Sequence, residues 1–179
     1  TGKVASGTNT TSYHDAGGTS NVYTDALIHD GSGWKKGRAI SYSFAPGSGS
    51  AEWTVSEKQA FANAFHVYEN VCNVHFAEGT FSDDPYLATS MVLYKLPGST
   101  WTTPAGGGTT LADFHVPTNG FNQNYGALVG RFNYDFSSWN NLSAGGLGFD
   151  TIIHELGHGM GLDHPFSGSP TFPGVSGSN

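Results

Sequence analysis

The sequence predicts an α/β (α+β) domain in which a backing helix and a second helix pack on one mixed, twisted sheet. Three observations predict it. The chain is 179 residues long, one domain's worth of core. Short segments rich in β-branched and aromatic residues are separated by Gly- and Pro-containing breaks. Strong helical spacing occurs after Thr54 and again in the segment that ends near Gly161.

Residues 1–20 are rich in Gly, Ser and Thr without periodicity and read as a surface arm. Val22, Ala26 and Ile28 before Gly31 suggest a short helix over Asn21–Asp30. Arg38–Phe44 alternates and reads as a strand that Pro46 ends. Thr54 and Glu57 have capping-box spacing, and Phe61, Ala64, Phe65, Tyr68 and Cys72 recur at three- and four-residue steps, which predicts a helix over Val55–Cys72 with Cys72 buried on its apolar face. Further strands are expected at Asn73–Glu78, Leu87–Leu96, Thr110–Pro117 and Ala127–Tyr134. Gly145–Ile153 reads as the loop into a last helix over Asp150–Gly161, and 165–179 as an exposed loop tail. No domain boundary interrupts 1–179.

Composition narrows the function. Charged residues are only 12% and Gly numbers 26, so the surface is small, polar and loop-rich, as suits a protein outside the cell. The net charge of −7 and the absence of any basic run exclude a nucleic-acid partner. Cys72 is the sole cysteine, so no internal disulfide forms. No stretch of about 18 apolar residues spans a membrane, and the N-terminus has no signal-like apolar core, so the chain is expected to begin as mature protein.

The chemistry sits in His154-Glu155-Leu156-Gly157-His158-Gly159-Met160-Gly161-Leu162-Asp163-His164, which fills HExxHxxGxxH at every specified position. Four-residue spacing puts His154 and His158 on one helical face, close enough to chelate one zinc ion. Gly161 permits the backbone reversal that returns His164 as the third ligand. Three protein ligands leave a fourth position for water, the mark of a catalytic zinc, and Glu155 stands beside it as general base for the activated water. Met160 is expected to pack under the helix. His14, His29, His66, His75 and His115 lack comparable spacing and are expected in surface or structural roles.

This extended motif is that of the metzincin metalloendopeptidases. His164-Pro165, the Gly-rich loop with Phe149 before the motif, and the order of strand, helix and NVHF strand resemble the serralysin family over roughly residues 22–166. The resemblance implies a zincin-like fold and a secreted zinc-dependent endopeptidase acting on protein or peptide substrates. It makes the strand around Thr110–Pro117 the sheet edge above the cleft, where Thr110, Leu111, Ala112, Asp113 and Phe114 contact substrate backbone as an added strand. It also implies a Met-containing turn and calcium-binding repeats downstream of the third His, whereas the only methionines are Met91 and Met160. The chain is therefore expected to be the N-terminal part of the catalytic domain, with its own C-terminal fragment as a separate partner chain holding the calcium. The competing reading is a non-catalytic zinc- and peptide-binding fragment with half a cleft. Glu155 weighs against it, because a structural zinc has no use for a carboxylate at an open position.

Overall fold

Thr54 begins the first helix, α1 (Val55–Val71), through a complete capping box: its hydroxyl accepts the Glu57 N–H at 3.2 Å, and the Glu57 carboxylate accepts the Thr54 N–H at 2.7 Å. The apolar spacing downstream buries Ala60, Phe61, Ala64 and Phe65 against the sheet. The computed structural model describes residues 10–12, 26–29, 32–34, 39–46, 51–84, 89–102, 108–117, 127–166 and 172–175.

Seven strands are described: β1 (Thr10–Ser12), β2 (Ser32–Trp34), β3 (Ala39–Phe44), β4 (His75–Glu78), β5 (Met91–Leu96), β6 (Ala112–Phe114) and β7 (Leu128–Asn133). Five of them form one sheet in the order β4-β3-β5-β7-β6. Neighbours run parallel except β6, which lies antiparallel to β7 at the edge. The mixed sheet is therefore as expected. β5 is buried almost throughout, the pattern of a central parallel strand covered on both faces.

The second helix, α2 (Leu147–Gly159), packs beside α1, and both share one core with the sheet through Phe61, Phe65, Phe132, Phe149, Ile152 and Leu156. Each such side chain, fully buried, stabilises by roughly 1.5–3 kcal/mol. Tyr68 ties the helices together by donating its hydroxyl to the Ile153 carbonyl at 2.7 Å, and burial pushes its pKa up to about 12. Among the described residues no helix is long and apolar enough to cross a membrane.

Several sequence expectations are corrected. The arm contains a strand, β1, paired antiparallel with β2. Of the helix expected over 21–30 only residues 26–29 are described, as a turn, an antiparallel bridge from Ile28 to Leu162 and one 3-10 residue at His29; the rest lies outside the described residues. Helix α1 stops at Val71, and at Cys72 the backbone is extended (φ −122°, ψ 149°), so helical periodicity no longer places that side chain and it is exposed. Helix α2 starts at Leu147 and ends at Gly159, so it begins three residues, just under one turn, before the expected Asp150 and stops two residues before Gly161. Gly148 reads as a loop residue by propensity, yet a Cβ there would lie 2.5 Å from the Ser138 carbonyl, so close packing selects glycine inside the first turn. The strands are shorter than their sequence patterns at most ends, and residues 38 and 87 lie outside the described set.

Candidate metal centre

His154 and His158 lie one turn apart on α2, and the chain leaves the helix through Met160 and Gly161, whose φ of +98° is the left-handed conformation that favours glycine. That reversal returns His164 to the helix face. The three Nε2 atoms then form a nearly equilateral triangle, with separations of 3.1 Å (His154–His164), 3.2 Å (His154–His158) and 3.2 Å (His158–His164). An ion bonded tetrahedrally to three nitrogens at about 2.0–2.1 Å needs edges only slightly longer. Among the described residues this is the one such cluster of metal-ligating groups.

The donor chemistry fits zinc as well as the geometry does. The His158 Nδ1–H donates to the Leu162 carbonyl at 2.8 Å, which fixes the tautomer that presents a lone pair at Nε2. Burial, and then the neighbouring His158 and His164, lower the pKa of His154. Burial and His158 likewise lower that of His164, against an opposing effect of Asp163. Neutral imidazoles are the ligating form. Phe166 stacks on the His164 ring at 5.0 Å and 9°, fixing its plane.

Glu155, between His154 and His158 in sequence, is 8% exposed, and its pKa is pushed up to about 7 by burial first and by the charge of Asp113 second. It lines a cleft of 540 Å³ together with His154, His158, His164 and Thr110–Phe114. The residues expected to meet substrate thus come to the metal centre, although their strand is only Ala112–Phe114.

Their side chains are already committed. Asp113 accepts the Arg131 Nε at 2.7 Å and pairs with its terminal nitrogen, across the Asp113↔Arg131 register. Phe114 is buried over Gly130 and Gly159, where an added Cβ would lie 2.5 Å and 2.8 Å from its ring; this fixes the spacing between edge strand and helix. What the strand offers is backbone. Leu111 C=O accepts from Asn133 N–H and His115 N–H donates to Val129 C=O, both at 2.9 Å, so residues 111, 113 and 115 turn their peptide groups toward β7. Ala112 and Phe114 therefore point theirs to the open edge, where no described strand pairs.

Of the remaining histidines, His66 and His75 both bond Glu69, at 2.6 Å and 2.9 Å, His115 is exposed, and His14 lies outside the described residues. Met160 packs against the core and does not join the cluster. His29, expected in a surface or structural role, and Trp34, which no spacing singles out, both lie near the centre. His29 Nδ1 donates to Asp163 Oδ2 at 3.0 Å, and Trp34 Nε1 donates to the Gly159 carbonyl at 2.8 Å. Their only sequence signal is a His and a Trp in an unpatterned segment, which points nowhere.

The matrixin family model matches residues 33–171. The chain is also similar to the solved structure of myroilysin, with a TM-score of 0.48 and 18% identity over 78% of this chain and 55% of that one. This chain thus spans little more than half the length of that relative, 55%. Among curated proteins none matches. On the family match, the chain belongs to the matrixins, a family of zinc metalloproteases.

Proposed function

We propose that this matrixin is a zinc-dependent endopeptidase in which Glu155 is the general base. The observation that carries the reading is the Nε2 triangle of His154, His158 and His164 opening on the cleft that Glu155 and β6 share. When bound there, zinc supplies the Lewis acidity that activates water and polarises a carbonyl. The Glu155 carboxylate takes the proton from that water and returns it to the leaving amine; a pKa near neutrality suits both transfers. The free N–H and C=O groups of Ala112 and Phe114 hold an extended peptide as an added strand, which presents its backbone to the histidines. Arg131 holds Asp113 across the β6–β7 register.

The finer assignments are part of the same proposal. His164-Pro165 and the Gly-rich approach to α2 support a serralysin-like branch, and the low charge with a single cysteine supports action outside the cell. By that resemblance, calcium and a separate C-terminal segment of the enzyme are its proposed partners.

Chelation tests the reading. Removing metal should abolish hydrolysis of a denatured protein, and one equivalent of zinc per chain should restore it. Hydrolysis that persists in fully metal-free protein would overturn it.

A further inference from the structure

The turn after α2 positions two of the three histidines at once. The Leu162 carbonyl orients His158, and Asp163 Oδ1 accepts the backbone N–H of His164 at 2.9 Å. This turn is itself held by a segment more than a hundred residues earlier. His29 N–H donates to Gly161 C=O at 2.8 Å, and Asp163 N–H donates to Leu27 C=O at 2.9 Å, bracketing the Ile28↔Leu162 bridge. The His29 ring then donates to Asp163 Oδ2 at 3.0 Å, so that one carboxylate is forked between His29 and the third histidine.

The geometry points to Leu27–His29 as a strap that sets zinc affinity, with His29 acting through Asp163 as a positioning residue for His164 and, through Leu162, for His158. The inference rests on the reading of the three histidines as zinc ligands. Its physical basis is that ligand orientation is fixed by the groups that hydrogen-bond behind the ligands, and losing such a group costs about 10- to 100-fold in metal affinity. Here the group behind the ligands is a turn held on one side by the end of α2, where Gly161 N–H donates to His158 C=O and Leu162 N–H to Gly157 C=O, both at 2.9 Å, and on the other by Leu27–His29. Without the strap, α2 still holds Gly161 and Leu162 by their N–H groups, but the chain beyond them loses its bonds to Leu27 and His29, so the Leu162 carbonyl that orients His158 and the His164 backbone are held less firmly.

The test compares wild type, His29→Ala and His29→Asn, the last because an Asn amide reaches about where the His Nδ1–H sits. Phe76→Leu serves as a control: it thins the core at β4, the sheet edge opposite β6. Zinc affinity is read by competition with a chromophoric chelator, ligand geometry by the visible spectrum of the cobalt(II) form, and fold stability by urea unfolding of the metal-free proteins. His29→Ala should bind zinc about 10- to 100-fold more weakly and shift the cobalt bands, and His29→Asn should recover most of both. Phe76→Leu should lower the urea midpoint while binding zinc like wild type. Wild-type zinc affinity in His29→Ala overturns the strap, as does a loss that His29→Asn fails to recover or that Phe76→Leu reproduces. A wild type that binds no zinc overturns the ligand assignment itself, a different result from the first.

Discussion

Glu57 on α1 and Glu155 on α2 are equally hidden, each 8% exposed, yet their chemistry diverges. Burial alone pushes the Glu57 pKa up, but Lys95, the Thr54 N–H and Trp139 together hold it below the ordinary carboxylate range. Lys95 Nζ lies 3.0 Å and 2.8 Å from its two oxygens, and Trp139 Nε1 donates at 2.7 Å. For Glu155, burial and Asp113 act in the same direction, and its pKa rises to about 7. A buried carboxylate surrounded by donors is part of the scaffold, while one left short of donors beside a cleft is available to move a proton. The donor set thus separates a scaffold carboxylate from one open to chemistry here.

The strongest way to break the comparison is to empty the scaffold site. Glu57→Gln leaves the Lys95 ammonium buried without its counter-charge and should cost about 3–5 kcal/mol in urea unfolding, with the zinc affinity of the folded protein unchanged. A loss below about 1 kcal/mol would show that Glu57 is no more committed than Glu155. Acid sharpens the same point. Because the folded pKa of Glu57 lies below its unfolded value, its contribution to stability is complete above the ordinary glutamate range and disappears as pH falls through the folded pKa. Wild type should therefore lose stability in that acidic window more steeply than Glu57→Gln, measured as unfolding midpoints against pH.

Smaller effects test how the chemical region is built. Gly159→Ala puts a Cβ 2.8 Å from the Phe114 ring, and should cost about 1–3 kcal/mol while raising KM more than it lowers kcat, since the edge strand shifts and Glu155 does not. Cys72→Ser should change stability by less than about 0.5 kcal/mol, as befits an exposed residue just past a helix end. A clear destabilisation would return Cys72 to the apolar face that the α1 spacing suggested.

How much of this was legible follows from how far apart the interacting residues lie. His154, Glu155, His158, Gly161 and His164 fall within eleven consecutive residues, so helical geometry and one left-handed glycine suffice to assemble them. The Thr54–Glu57 capping box is equally local, and was readable for the same reason. Lys95 and Trp139, which decide what Glu57 is, come from β5 and a turn far along the chain, and no spacing joins them to α1. The same holds for His29 against Asp163 and Trp34 against Gly159. Helix ends were misread where tertiary packing overrode local preference: Gly148 sits in a helix because nothing larger fits against Ser138, and Cys72 lies one residue beyond the last helical turn.

In the proposed mechanism Glu155 moves the proton while the three histidines hold the metal. Glu155→Gln tests it most directly, with zinc content and hydrolysis of a denatured protein measured on the same preparation. Zinc should remain at one per chain while the rate falls by about 10²- to 10⁴-fold. Zinc retained with hydrolysis at the wild-type rate would contradict the account.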